Sequence, residues 1–393
     1  MANVSMRWDI FCAVIDNFGD IGICWRLSRQ LVQEHDIDVR LWVDDLASFA
    51  RICPQIDTAA AEQVVAGVTI LLWSADTDWL AAGVSPVVIE ALACTIPMPY
   101  QQLMAQQSVK PLWLNLEYLS AEEWVESCHA LPSPQPHLPL DKYFFFPGFT
   151  HATGGLLQEG TLQQQAEQFI DNADEQRLFW QRLGVNTPEY YWQKISLFAY
   201  DHPKLESLLR CWQNSAEPIL CLVPEGALAA QLRIMYPAFL GDESGKSLLE
   251  LGNLHVRLIP FVAQDEYDKL LWACDINFVR GEDSIIRAHW AAKPFIWQIY
   301  RQTEQTHLEK LNAFMQRYCE DMPDDIAQGL REFWLDWNTS NDLVQSWQKF
   351  RAMQTQIAEY NRLWRTRLTA NGDLASNLVH FVEKKFIMRR NFS

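Results

Sequence analysis

Nothing in this 393-residue sequence is long and apolar enough to cross a bilayer. The longest apolar run, near Val64–Ala75, carries glycine and serine and falls short of the ~18 residues a spanning helix needs. Positive charge is scarce as well: Lys and Arg number 32 against 49 Asp and Glu, a formal net charge of -17. Such a surface repels a phosphate backbone, which excludes nucleic acid as an expected partner. A single local arginine can still hold one diphosphate. The nine cysteines form no CxxC pair and no metal-ligand spacing. Cys12, Cys24 and Cys221 sit inside apolar strings, the pattern of buried reduced thiols in a cytoplasmic protein. Arg7 and Asp9 lead directly into strand-like sequence without the order of a signal peptide, so a cytoplasmic location without membrane attachment is expected.

Several chemical signatures are missing too. A GxGxxG fingerprint is absent, so a dinucleotide cofactor gains no support; HExxH and GxSxG are absent, and no metal or other cofactor is expected. Gly241–Ser247 resembles a phosphate-binding P-loop, but its spacing is GxxxGKS, one residue short, and it carries two acids where phosphates would lie; it reads as a loop. Internal repeats and low-complexity segments are likewise lacking.

What is present is a globular balance, 49% hydrophobic and 21% charged, in a chain too long for one ordinary core. Seventeen tryptophans serve mainly a core, with some available to a partner surface. Trp8–Ile15 reads as a buried strand, followed by the glycine turn DNFGDIG and a helix with Cys24, Leu27, Leu31 and Val32 at helical spacing. Asp38–Val43, Val68–Trp73 and Pro86–Ala91 continue an alternation of strand and helix that predicts parallel βαβ units. Residues 131–155, rich in proline, aromatics and glycine, read as a boundary or ordered interdomain loop, with Gly154-Gly155 an interdomain turn. A helical stretch over Leu162–Leu183 follows. Strand candidates then restart at Ile195–Tyr200, Ile219–Val223, Val256–Pro260, Ile276–Val279 and Pro294–Ile299, with helices over Glu266–Cys274 and Ser284–Ala292. The last third is helical and ends in Ala375–Phe386. The fold class is therefore α/β, two successive Rossmann-like halves with ligands expected beyond the carboxyl ends of the strands.

Two constellations carry chemistry. Asp16 and Asp20 lie four residues apart around a glycine turn, between the first strand and the first helix. Two carboxylates there can converge on a planar guanidinium or act as a general base. The plainer alternative is that Asp20 caps the helix while Asp16 closes the turn. The second constellation is Arg280-Gly281-Glu282-Asp283-Ser284, after a strand and before a helix. A helix start offers free N–H groups, Gly281 admits close approach, and Arg280 adds positive charge, a combination that suits a departing nucleotide diphosphate. Its plainer alternative is a capped helix with Asp283 or Ser284 as the cap. Phe198, Tyr200, Phe261, Gln264 and Tyr300 stand near strand ends in the same half, where a base could stack; core packing is the alternative for each aromatic alone.

Beyond these short motifs, the strings IFCAVIDNFGDIGICWRL, LWVDDL, WLNLEYLSAEEWVESCHALPSPQP, FFFPGFTHATGGLL, LFAYD and IPFVAQDEYDKLLWACDINFVRGEDSIIRAHWAAKPFIWQIYRQ resemble those of the elongation factor P arginine rhamnosyltransferase (EarP) family over nearly the whole chain. The resemblance implies a GT-B fold, two Rossmann-like domains facing across a cleft. The acceptor-binding domain would cover residues 1–155 and the nucleotide-sugar domain 156–365, with a C-terminal helix from about residue 366 packing back on the first domain. It implies an inverting, metal-independent transfer of rhamnose from dTDP-β-L-rhamnose to one arginine of elongation factor P, activating that factor. Asp20 matches the family's general base and Asp16 a second acidic position near the acceptor. Asn17, Phe18 and Gly19 match the loop between them. Phe198, Tyr200, Phe261, Gln264, Arg280, Glu282, Asp283, Ser284 and Tyr300 match donor-binding positions. The alternatives are a GT-B transferase with another sugar or acceptor, and a non-catalytic module that binds elongation factor P.

Overall fold

The computed structural model describes residues 6–15, 18–241, 248–301, 306–339 and 341–391. Asp16, Asn17 and residues 242–247 of the P-loop-like segment lie outside the described residues. The chain divides into two units, residues 1–160 with 367–393, and residues 161–366.

The first unit holds eight strands: β1 (Arg7–Cys12), β2 (Asp38–Val43), β3 (Glu62–Val65), β4 (Val68–Leu72), β5 (Val87–Ala91), β6 (Leu112–Leu116), β7 (Pro132–Pro134) and β8 (Asp141–Phe145). Their order in the sheet is β3-β4-β2-β1-β5-β6-β8-β7. All pairs are parallel except the edge pairs β3–β4 and β7–β8. Strands β1 and β5 are buried along nearly their whole length, as a parallel sheet covered on both faces requires. Inside this face Asp9 and Arg40 form a buried bidentate pair at 2.6 and 2.7 Å, and Asp9 also accepts from the Tyr100 hydroxyl. The neighbouring Phe11, Trp42, Trp79 and Tyr100 rings pack against one another.

Two sequence readings need correction here. The segment 131–155 is no plain boundary, because it contributes β7 and β8 to the first sheet. Gly154-Gly155 is likewise internal to this unit: Gly155 adopts φ +75°, and a Cβ there would collide with the Gly372 carbonyl where the chain returns to the unit. The returning helix Leu374–Asn391 packs on the helix Gly19–His35, and its Phe381 ring meets Tyr143 and Phe145.

The second unit holds β9 (Gln193–Leu197), β10 (Ile219–Pro224), β11 (Leu248–Leu251), β12 (Leu254–Ile259), β13 (Ile276–Arg280) and β14 (Phe295–Gln298), ordered β11-β12-β10-β9-β13-β14. Only the edge pair β11–β12 is antiparallel. The stretch Leu162–Leu183 forms two helices rather than one. Asn172 ends the first and caps the second, accepting from the Glu175 N–H at 3.1 Å.

Both sheets stop short of the strand candidates read from sequence. Strand β1 ends at Cys12 because the Val14 N–H donates to Asp44 and the Ile15 N–H to Asp20, each at 2.9 Å. Strand β9 ends at Leu197, and the Tyr200 N–H donates to the Gln298 side chain at 2.8 Å. Side-chain acceptors replace the ladder at these carboxyl ends and turn the backbone into loops.

Two histidines in the second unit are neutral cores. His202 stacks on Trp337 with ring centroids 4.2 Å apart, and its Nε2 lies 2.8 Å from the Trp337 carbonyl. His289 accepts from the Trp364 indole at 3.2 Å. Burial pushes His202 down to about 4 and His289 to about 3. The unfolded chain binds protons first as pH falls below about 6.5, so this stability is present above that value and lost as pH drops towards 4. Urea unfolding of the second unit is expected to show about 2 kcal/mol less stability at about pH 5.5 than at about pH 7.5. A flat profile over that window would contradict the neutral assignment. No helix among the described residues is long and apolar enough to cross a membrane.

Candidate active site

In the first unit the chain runs β1, β2, β4 to one side and β5, β6, β8 to the other, so the order reverses between β1 and β5. Ligands in such sheets sit outside the carboxyl ends at this point. Asp20 stands there, 1% exposed, in the first turn of the helix Gly19–His35. The capping alternative fails: the cap position is Phe18, without a side-chain hydrogen bond, and Gly19 is the first helical residue. Asp20 instead accepts from the Ile15 N–H through Oδ2, and its charge is favoured at the positive end of the helix.

The other carboxylate oxygen has a partner that sequence reasoning missed. The Tyr118 hydroxyl lies 3.2 Å from Asp20 Oδ1 and 3.0 Å from the Leu92 carbonyl. Leu92 and Ala93, just past β5, have φ +54° and +61°. Two successive non-glycine residues in the left-handed region cost roughly 1–2 kcal/mol each. The turn is held by the Leu92 N–H donating to Leu116 at 2.8 Å and the Cys94 N–H donating to Ala91 at 3.0 Å. No sequence signal marks it, since glycine and asparagine are the usual tokens of that conformation.

In the second unit β9, β10 and β12 run one way and β13 and β14 the other, placing the reversal between β9 and β13. The residues named from sequence gather at that end. Arg280 closes β13, and its guanidinium carbon lies 4.5 Å from the Phe198 ring and 4.6 Å from the Tyr200 ring, both just past β9. Tyr300, past β14 and 51% exposed, meets Tyr200 edge-on with centroids 5.7 Å apart. Phe198 in turn meets the buried Tyr267, whose phenol burial pushes far up. Among the described residues Arg280 forms no ion pair, so a fixed cation is presented on two aromatic faces.

The helix Gly281–Ala291 starts directly after it. Its cap position is Arg280, in extended conformation, with no side-chain cap. Neither Asp283 nor Ser284 caps this helix, which corrects the plainer sequence reading. The Ser284 hydroxyl instead reaches back, accepting from the Arg280 N–H at 3.0 Å and donating to the Arg280 carbonyl. Asp283 accepts from Gln264 at 3.3 Å. Gly281 has φ +62°, which a side chain would oppose, and its carbonyl accepts from the Trp297 indole at 2.9 Å. A buried pair, Arg287 with Asp268 at 2.7 and 2.8 Å, locks this helix to the helix Gln264–Ala273. Glu282 occupies the second helical position, and Phe261 lies half-buried in the loop after β12. An arginine beside helix N–H groups without a side-chain cap can bind a diphosphate from two directions. Among the described residues no group of three or more His, Cys, Asp or Glu is arranged to hold a metal ion.

The chain is 47% identical over 382 residues to a protein-arginine rhamnosyltransferase of Pseudomonas putida, covering 96% of this chain and 99% of that one. It is 40% identical over 394 residues to the protein of the same description from Shewanella oneidensis, with 97% and 98% covered. A solved structure described as the structural basis for EarP-mediated arginine glycosylation of translation elongation factor EF-P superposes with a TM-score of 0.68 at 34% identity, over 96% of this chain and 99% of that chain. A UDP-GlcNAc 2-epimerase from Neisseria meningitidis shares the fold alone, with a TM-score of 0.50 at 9% identity, over 96% of this chain and 100% of that chain. The two parallel-rich α/β units make the GT-B fold. Residues 8–383 match the model of the elongation factor P (EF-P) rhamnosyltransferase EarP, and the chain belongs to that family.

Proposed function

We propose that this chain transfers rhamnose from dTDP-β-L-rhamnose to an arginine side chain of elongation factor P, with inversion at the anomeric carbon. The observation that carries the reading is Arg280, held on Phe198 and Tyr200 at the start of a helix without a side-chain cap. In the reaction the arginine nitrogen attacks the anomeric carbon as the bond to the diphosphate oxygen breaks. The electron pair leaves on dTDP, where Arg280 and the helix N–H groups after Gly281 stabilise it. Tyr200 and Tyr300 offer faces for the thymine, and Gln264, Glu282, Asp283 and Ser284 complete the donor site. The acceptor is a hard nucleophile to activate, because a guanidinium is protonated at any working pH. Asp20 takes the proton that the attacking nitrogen loses, and Asp16 helps hold the guanidinium.

The test is the stereochemistry of the product. NMR of modified elongation factor P, made from dTDP-β-L-rhamnose, is expected to show an α-linked rhamnosyl arginine. A β-linked product would overturn the single-displacement reading, because it requires two displacements and a nucleophile on the protein.

A further inference from the structure

We propose that Tyr118 is a positioning residue for Asp20, keeping a hydrogen bond to that carboxylate whether or not it carries a proton. This rests on the reading of Asp20 as the base. A phenol has one proton to donate and lone pairs to accept with. The Tyr118 oxygen has two acceptors in reach, Asp20 Oδ1 at 3.2 Å and the Leu92 carbonyl at 3.0 Å. While Asp20 is ionised, the phenol donates to the carboxylate, the stronger charge-assisted bond. When Asp20 has taken the proton from the acceptor nitrogen, its O–H donates to the phenol oxygen. The phenol's proton then turns to Leu92. Asp20 Oδ1 keeps a hydrogen bond to the phenol in both states, while the Leu92 carbonyl takes the phenol's proton only in the second.

The Leu92 carbonyl is placed for this by the left-handed residues after β5, and the Leu92 N–H is tied to Leu116, two residues before Tyr118. The other carboxylate oxygen is fixed independently by the Ile15 N–H. Tyr118 thus holds Oδ1 while the Ile15 N–H holds Oδ2.

Tyr118→Phe keeps the ring and removes only the hydroxyl. In the full chain, with elongation factor P and dTDP-β-L-rhamnose, kcat is expected to fall about 10- to 100-fold, the loss of one hydrogen bond to a charged group. The acceptor KM and the affinity for dTDP are expected to change less than about threefold, with the melting temperature unchanged. In the double variant with Asp20→Asn, turnover is expected to be no slower than in Asp20→Asn alone, because Tyr118 acts through that carboxylate. If Asp20→Asn cripples transfer while Tyr118→Phe leaves kcat intact, or if the two losses multiply, the inference is wrong and the base assignment stands. If activity falls only in proportion to lost folded protein, Tyr118 is structural and the inference is overturned. If Asp20→Asn transfers at the unsubstituted rate, the base assignment falls and this inference with it.

Discussion

Asp20→Asn is expected to lower kcat about 10³-fold while leaving the affinity for dTDP unchanged. The substitution is close to isosteric, and the surroundings accommodate it. The amide oxygen can keep the bond from the Ile15 N–H, and the amide nitrogen can donate to the Tyr118 oxygen. The hydrogen bonds that hold this side chain therefore survive. What disappears is a negative charge able to receive a proton. The residues proposed to bind the donor all lie in the second unit, and Asp20 lies in the first. Retained turnover would mean that another group accepts the proton. Lost dTDP binding would mean that Asp20 belongs to the donor site instead.

Arg280→Ala is expected to weaken dTDP binding by about 10- to 100-fold, the equivalent of roughly 1.5–3 kcal/mol for hydrogen bonds to a charged group. The loss in kcat/KM should be larger, because negative charge on the leaving diphosphate grows in the transition state. Arg280→Lys is expected to recover little. The guanidinium carbon lies over the Phe198 and Tyr200 rings, and an ammonium has neither a guanidinium's plane nor its fork of donors. Titration calorimetry with dTDP measures the first effect and steady-state transfer the second. Unchanged dTDP affinity in Arg280→Ala would remove the diphosphate from this helix start.

Much of this arrangement was legible in the sequence for a physical reason. Central parallel strands are short apolar runs, and Asp38–Val43 and Ile219–Pro224 stand out as such. Their carboxyl ends are ligand positions, so Arg280, Phe198, Tyr200 and Tyr300 could be named together before their contacts were known. The edges were harder. Strands β3 and β11 alternate exposed and half-buried residues over four positions, too brief a pattern to separate from loop. Strand β8 lies within a proline-rich segment that reads as a boundary or an ordered interdomain loop, although its aromatic run pairs with β6. At both constellations the capping alternative fails. Asp20 binds the Ile15 N–H and Ser284 binds the main chain of Arg280 from within the helix, contacts that residue type alone does not distinguish from a cap. The left-handed Leu92–Ala93 turn carries none of the residues that ordinarily announce one. Tyr118 was invisible for the same reason: its role depends on where that turn puts a carbonyl.

The most direct measurement is the intact mass of purified elongation factor P after incubation with this protein and dTDP-β-L-rhamnose. The account requires a gain of one deoxyhexose, mapped to a single arginine and abolished when the donor is omitted. An unchanged mass, with intact donor and an acceptor known to carry its arginine, would contradict the assigned transfer and leave only the fold and the family.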